Sequence, residues 1–191
     1  SSWKLDKAFV TPKPRYGRPL LVNATGSDAG IDFAARYSDI VFITSPAGSE
    51  IEGALAALPA HTARVKAAAA QHGRKIRTLI NPMVICRETE AEALAYRDAI
   101  VAHGDEGSFH RFESDAHAWR GNAEQRNQAA SRAVGGNISI VGSPQQIADY
   151  IVRLHQAGVD GVQLSFFDFQ PGLDFFGERV LPLLREAGLR Y

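Results

Sequence analysis

The residue types best suited to chemistry lie in one short turn, Thr25-Gly26-Ser27-Asp28. An apolar run precedes the turn, and apolar residues at the spacing of one helix face follow it, which predicts a strand, a tight turn and a helix. Ser27 or Asp28 can cap that helix, and the free N–H groups and dipole at a helix start favour an anion such as phosphate. An ordinary βα turn without a ligand is the alternative, and the turn itself leaves both open.

A second set of polar side chains falls inside strand-like runs. Strand residues alternate between two faces, so Val22 and Ala24 share one face while Asn23 lies on the other. The more polar face is the better candidate for a pocket. Four side chains are therefore predicted to point toward one: Asn23, Asn81, Gln163 and Ser165. The alternative is that these groups satisfy one another's hydrogen bonds in a packed interior.

The elements that must position these residues are visible as apolar runs and helix-start signals. Strands are predicted at about residues 20–24, 39–44, 76–86 and 162–166. Pro82 lacks an amide hydrogen, so we expect a bulge or gap in the third strand. Pro59 and Pro182 predict a break or kink in their helices. Helices are predicted to start at Ser49 with Glu52, Thr89 with Glu92, and Ser143-Pro144 with Gln146.

Strands that alternate with helices predict an α/β fold of parallel βαβ units with right-handed crossovers. Four such units make half of a TIM (β/α)₈ barrel, which takes about 250 residues when whole. The 191 residues are predicted to form a single domain. Because an open half-barrel exposes unpaired strands and apolar surface, we expect a partner, either a second copy in a homo-oligomer or the other half of a longer protein.

Composition argues against several other functions. Acidic and basic residues number 21 each, so neither a nucleic acid nor a membrane surface is the predicted partner. No apolar run approaches the roughly 18 residues of a spanning helix, and a single cysteine fits a reducing compartment, so we expect a cytoplasmic protein. The histidines lack metal-ligand spacing, and Cys86 lies in an apolar strand without an activating base, so no metal site or thiol chemistry is predicted.

Residues 105–135 match neither the helix nor the strand pattern. Charged residues intermix there with histidines and a tryptophan, and the segment is too long for a plain connection. We interpret it as a lid or insertion, with disorder as the alternative. His117, Trp119 and Arg120 are the side chains that such a lid would close over a ligand, whereas a solvated loop is the alternative for each.

Several blocks carry a family resemblance. The block at 17–35, which contains Asn23-Ala24-Thr25-Gly26-Ser27, and the block at 83–93 keep their order with the blocks at 141–144, 157–162, 166–169 and 176–182. Together they resemble the luciferase-like flavin monooxygenases, in the branch of nitrilotriacetate monooxygenase and pyrimidine oxygenase. The resemblance covers nearly all of the chain outside 105–135 and implies the C-terminal half of a TIM barrel.

The resemblance also implies a reaction and a site. Reduced FMN, supplied by a separate flavin reductase, would act with O₂ to oxidise a small organic substrate. The turn of Thr25, Gly26 and Ser27 would contribute to the FMN phosphate site, with Asn23 and Ala24 as further cofactor-binding residues. Candidate substrate-side residues outside the predicted lid are Asn81, Ser165 and Phe167.

Two departures from the family limit this interpretation. The alkanesulfonate branch has Arg and His on the strand where this chain has Asn81 and Met83, so a sulfonate substrate is disfavoured. The family's early strands, which supply much of the flavin and substrate contact, have no match here, so no catalytic residue is assigned. The alternatives are a non-catalytic flavin-binding or interaction half-barrel, and an oxidoreductase of the same superfamily that uses a deazaflavin.

Overall fold

The computed structural model describes residues 15–103 and 138–189. Its strands are β1 (Val22–Ala24), β2 (Ile40–Phe42), β3 (Arg77–Ile80), β4 (Pro82–Cys86), β5 (Ile138–Gly142), β6 (Gly161–Val162) and β7 (Ser165–Phe166). Its helices are α1 (Asp28–Tyr37), α2 (Ile51–Gln71), α3 (Glu90–Ala102), α4 (Pro144–Gln156), α5 (Phe169–Arg179) and α6 (Leu181–Glu186). The predicted lid at 105–135, with His117, Trp119 and Arg120, lies outside the described residues.

The first sheet contains β1, β2, β3 and β6 in that order, and every pair is parallel. Each strand therefore lies beside the next strand of the sheet along the chain, as successive βαβ crossovers require. The register aligns Ala24 with Phe42, Phe42 with Leu79, and Leu79 with Gly161. The predicted parallel α/β architecture is confirmed, although β5 with α4 adds a fifth βα unit to the four that were predicted.

A second sheet continues beyond the first at Asn81. There β4 pairs in parallel with β5 on one side and with β7 on the other. Because Pro82 has no amide hydrogen to donate, the predicted strand at 76–86 divides into β3 and β4 at this point. The predicted gap is confirmed, whereas β5 was not predicted and is identified here by its parallel pairing with β4.

The main core lies between the first sheet and its helices. Val41, Ile80, Leu58 and Leu154 are almost completely buried there. Burial of such a side chain contributes about 1.5–3 kcal/mol to folding. The opposite face of the sheet has no such cover among the described residues, and Leu79, for example, is only half-buried. Helices therefore cover one face of the sheet, as in one wall of a barrel.

The helix starts agree with the sequence in part. The capping box of Thr89 and Glu92 is confirmed. The predicted start at Ser49 with Glu52 is wrong, because the carboxylate of Glu50 caps α2 instead. A carboxylate can accept two N–H groups at once, which a serine hydroxyl does less well.

The prolines behave differently in the two helical regions. Pro59 lies inside α2, which nevertheless spans residues 51–71 as one helix, so the predicted break there is wrong. The restart near Pro182 is confirmed, because α5 ends at Arg179 and α6 begins at Leu181. Proline fits the first turn of a helix because the amide it lacks would have no partner in that turn.

Two carboxylates stabilise the amino-terminal edge of the first sheet through hydrogen bonds and an ion pair. Asp160 accepts hydrogen bonds from the N–H of Thr78 at 2.8 Å and from its hydroxyl at 3.1 Å, and it pairs with Lys66 at 2.9 Å. Asp39 accepts from the N–H of Leu21 at 2.9 Å. These contacts tie β1, β3 and β6 to their neighbours at the edge opposite the turn at 25–28.

The first sheet ends in open edges at β1 and β6, since no described residue pairs with the outer side of either strand. Beside β1, Leu20 is 73% exposed and Val22 is 51% exposed. Phe33 and Tyr37 pack against each other on α1 with ring centroids 5.1 Å apart, and both remain exposed. The predicted open edges and their apolar surface are confirmed in the described part of the chain. Among the helices described, none is long and apolar enough to span a bilayer.

Candidate functional site

The turn between β1 and α1 lies at the carboxyl end of the first sheet. Ser27 is the N-cap of α1, and its hydroxyl accepts from the N–H of Gly30 at 3.1 Å while its carbonyl accepts from Ile31 at 2.9 Å. The N–H of Thr25 donates to the carbonyl of Phe42 at 3.3 Å, which keeps the start of the turn attached to β2. The capped strand-turn-helix predicted from the sequence is confirmed.

Gly30 makes this turn unusually compact. A β-carbon on Gly30 would lie 2.8 Å from the β-carbon of Thr25 and 3.1 Å from the hydroxyl of Ser27, so no larger residue fits without movement. Gly26 is less crowded, because its nearest neighbour would be the hydroxyl of Thr44 at 3.4 Å. The backbone of the helix start therefore packs directly against side chains of the turn.

The electrostatics of the turn suit an anion. The first N–H groups of a helix have no partner within the helix, and the dipole adds positive potential there. Asp28 lies in the first turn, but Arg64 of α2 pairs with it at 2.7 Å and offsets its negative charge. At the start of α2 the Glu50 carboxylate already accepts two of the corresponding N–H groups. Of these two helix starts, that of α1 has fewer of its first N–H groups accepted by a capping side chain, one against two.

The predicted polar face is only partly present. Asn23 aligns with Val41 and Thr78, which are fully buried on the face covered by helices. Asn81 follows the alternation of Leu79 and lies on the opposite face. The expectation that Asn23 shares a face with Asn81 is therefore wrong, because the packing of the helices, rather than the polarity of single strands, decides which face is covered.

The other candidates lie further along the same edge. Ser165 pairs with Met83 in the second sheet, and Phe167 follows it with 53% of its surface exposed. Gln163 donates its N–H to the carbonyl of Ile80 at 2.9 Å, so it lies directly after β6. The role of Ser165 and Phe167 in substrate binding stays a prediction. Thr44 was not among the predicted site residues, because it lies at the end of a predicted strand, and only its contact with Gly26 places it beside the turn.

Thiol and metal chemistry find little support in the described residues. Cys86 is buried, and burial raises the pKa of its thiol to about 11. A thiol with so high a pKa carries almost no thiolate at neutral pH and is a poor nucleophile. No three metal-ligating side chains group together in residues 15–103 and 138–189.

Fold and turn together define the class of this protein. Parallel βα units with a capped helix start at the carboxyl edge of the sheet form one wall of an α/β barrel. The family model for luciferase-like monooxygenases matches residues 2–161. The chain belongs to the luciferase-like monooxygenase family, and the resemblance seen in the sequence is confirmed.

Two groups of relatives are similar over nearly the whole chain. An FMNH₂-dependent dimethylsulfone monooxygenase of Pseudomonas fluorescens is 37% identical over 96% of this chain and 51% of its own length. The pyrimidine monooxygenase RutA of Caulobacter vibrioides is 32% identical over 95% of this chain and 51% of its own length. This chain therefore spans about half the length of these relatives.

Solved structures agree with the fold. DmoA from Hyphomicrobium sulfonivorans superposes with a TM-score of 0.76 at 20% identity, over 91% of this chain and 42% of its own. The long-chain alkane monooxygenase LadA superposes with a TM-score of 0.74 at 22% identity, again over 91% of this chain and 42% of its own. At this level of identity the likeness concerns the fold, and it supports the prediction of a half-barrel.

Proposed function

We propose that this chain is the C-terminal half of a two-component, FMN-dependent monooxygenase that oxidises a small organic substrate with reduced flavin and O₂. The observation that carries the proposal is the Ser27-capped start of α1 at the carboxyl edge of the sheet, in a chain whose relatives include an FMNH₂-dependent enzyme. A separate flavin reductase would supply the reduced cofactor. Reduced FMN, when bound, supplies the electrons for oxygen chemistry.

The task of the turn is to hold the cofactor phosphate. The Ser27 hydroxyl and the first-turn N–H groups of α1 are the donors that a phosphate needs. Gly30 keeps Thr25 and Ser27 close to the helix start, and Arg64 offsets the charge of Asp28 beside the incoming phosphate. Gly26 and the backbone of Ala24 complete the proposed cofactor contacts. Asn23 remains a candidate through its position in β1, although its side chain lies on the helix-covered face.

A second polypeptide segment is needed to complete the site. A TIM barrel closes with eight strands, whereas the first sheet here has four and two open edges. The exposed aromatic pair Phe33 and Tyr37 marks the surface beside β1 that the completing segment would cover. The completing segment is either the N-terminal half of a longer protein or another chain, including a second copy. We propose that Asn81, Ser165 and Phe167 face the substrate in the completed barrel.

The phosphate assignment is tested by combining the purified chain with the N-terminal half of the Pseudomonas relative, titrating with FMN and following flavin fluorescence. Ser27→Ala should weaken FMN binding by about tenfold or more, since a hydrogen bond to a charged group contributes about 1.5–3 kcal/mol. Thr89→Ala is the matched control, because it removes a hydroxyl cap from α3 at a similar cost in stability, about 1 kcal/mol. Equal FMN affinities in the two variants would refute the proposed phosphate site.

Monooxygenase activity is tested separately. The chain is combined with the N-terminal half of the Pseudomonas relative, a flavin reductase, FMN and NADH, and oxygen consumption is measured with dimethyl sulfone or uracil. Product formation that depends on this chain supports the enzyme. FMN binding without product in the completed barrel would favour a flavin-binding half-barrel instead.

A further inference from the structure

A charged side chain lies on the uncovered face of the first sheet, at its amino-terminal end. Arg77 is the first residue of β3, where it aligns with Ile40 of β2, and Ile40 aligns in turn with Val22 of β1. The next residue, Thr78, is fully buried on the face that the helices cover. Because side chains alternate along a strand, Arg77 lies on the opposite face together with Ile40 and Val22. We call these three residues the lower row.

Arg77 is the charged member of an otherwise apolar row. It is exposed in the described chain, where water can reach its guanidinium. The inside of a closed TIM barrel, by contrast, is filled by packed layers of mainly branched apolar side chains. Closure of the barrel would therefore take water away from a group that remains charged in proteins. Burial of a guanidinium without a counter-charge opposes association, whereas burial against a carboxylate offsets the lost hydration.

The described part of this chain offers Arg77 no free carboxylate. Asp39 and Asp160 are the acids that immediately precede the neighbouring strands β2 and β6. Asp39 already pairs with Arg18 at 2.6 Å. Asp160 pairs with Lys66 at 2.9 Å. No ion pair among residues 15–103 and 138–189 includes Arg77, so its counter-charge has to come from elsewhere.

A second copy of this chain is a poor source of that counter-charge. Two copies that closed one barrel about a common axis would place both Arg77 side chains at the same level of one interior. Like charges repel strongly where the dielectric constant is low, and the lower row of the second copy contains no carboxylate. Charge therefore favours a completing segment of different sequence. The relatives contain chain of about equal length outside the half that matches this protein.

We propose that the segment which completes the barrel differs in sequence from this chain and carries an inward-facing Asp or Glu that forms an ion pair with Arg77 at the level of the lower row. This inference rests on the barrel completion proposed above, and it adds the chemistry by which the partner is recognised. Arg77 lies at the end of the sheet opposite the Ser27 turn. The ion pair therefore serves association of the two halves and selects against pairing of this chain with itself.

Association with the N-terminal half of the Pseudomonas relative tests the proposal. Isothermal titration calorimetry gives the dissociation constant of the two halves for the wild type, Arg77→Met and Arg77→Lys. Arg77→Met should raise this constant by about tenfold or more, because it leaves the partner carboxylate buried and unpaired. Arg77→Lys, which keeps the charge, should recover most of the loss. If the partner had no carboxylate there, Arg77→Met should lower the constant instead, since an unpaired charge would no longer be buried. The sign of the effect therefore decides the question.

Lys75→Met is the matched control. Lys75 is an exposed cation two residues before Arg77 and lies outside the strand, so its loss should change the dissociation constant less than about threefold. Urea denaturation of the chain alone should show equal stability for Arg77→Met and Lys75→Met, which separates a loss of association from a loss of folding. A charge swap then locates the partner group. Arg77→Glu should prevent association, and replacement of one inward-facing Asp or Glu of the partner half by Lys should restore it.

Three results would overturn the proposal: an Arg77→Met chain that binds the partner half as tightly as the wild type or more tightly, association of this chain with itself that is as tight as with the partner half, or two halves that do not associate. Failure of the proposed function is a different result, namely an assembled pair of halves that depends on Arg77 but binds FMN independently of Ser27.

Discussion

The hydroxyl of Thr25 occupies the place that a β-carbon on Gly30 would need. The turn and the first turn of α1 are thus packed as one unit. Any side chain at position 30 must displace Thr25 or move the helix start away from β1. This contact explains why position 30 requires glycine. The reason is steric and not conformational, since Gly30 is not among the glycines with positive φ.

We therefore expect Gly30→Ala to damage both stability and cofactor binding. Overpacking of this kind costs about 1–3 kcal/mol, and displacement of Thr25 should shift the Ser27 hydroxyl away from the phosphate. Urea denaturation and FMN titration measure the two effects. Gly177→Ala is the matched control, because a β-carbon there meets no atom within 4 Å in α5 and alanine favours a helix by about 0.5–1 kcal/mol. A Gly30→Ala variant as stable as Gly177→Ala would contradict the packing argument.

Asp160 should make the fold sensitive to acid. Burial opposes ionisation of this carboxyl, but hydrogen bonds from the Thr78 N–H and hydroxyl and from Lys66 outweigh it and hold the pKa of Asp160 below its ordinary value. A lowered pKa in the folded state means that the stabilisation is present above the unfolded value of about 3.9 and is lost as the pH falls through the folded value. We expect Asp160→Asn to lower the free energy of unfolding at pH 7 by about 1–3 kcal/mol and to flatten its decline below pH 5.

Unfolding curves between pH 2 and pH 7 check this prediction. Asp174→Asn, on the exposed surface of α5, serves as the comparison and should leave the curve nearly unchanged. An Asp160→Asn variant whose stability falls with acid as steeply as that of the wild type would show that other groups control the transition.

Cys86 should resist alkylation in the folded chain. Its pKa of about 11 leaves roughly 200-fold less thiolate at pH 8 than a cysteine with an ordinary pKa near 8.5 carries. Iodoacetamide labelling followed by mass spectrometry should therefore be about 200-fold slower in buffer than in denaturing urea. Labelling at the same rate in both solutions would mean that the second sheet, which buries Cys86 in β4, opens readily.

The surface beside β1 should bind the dye ANS when the chain is alone. Replacing the exposed pair Phe33 and Tyr37 by lysines should lower ANS fluorescence severalfold, because it removes the aromatic part of the exposed apolar patch. The matched control is the pair Ala63→Lys and Ala67→Lys, which adds the same charge to exposed positions on α2. Similar fluorescence losses in both double variants would point to charge rather than to the patch.

Local patterns in the sequence were sufficient for much of the fold. The Ser27 turn, the caps at Thr89 and the gap at Pro82 depend on residues within a few positions of one another, so the chain specifies them before it folds. The parallel arrangement follows from the alternation of strands and helices. Residues 17–35 and the later blocks also identified the family, because their order survives at about one-third identity.

Contacts between distant segments decided the rest. β5 was not predicted although it has five residues, as many as β4, and it is identified by its parallel pairing with β4. Glu50 replaces Ser49 as the cap of α2, and Asn23 lies on the covered face because the helices pack on that side of the sheet. Thr44, Asn81 and Gln163 fall in adjacent positions only through the register of three strands that are far apart in the chain. Such registers depend on tertiary packing, which no single stretch of sequence contains.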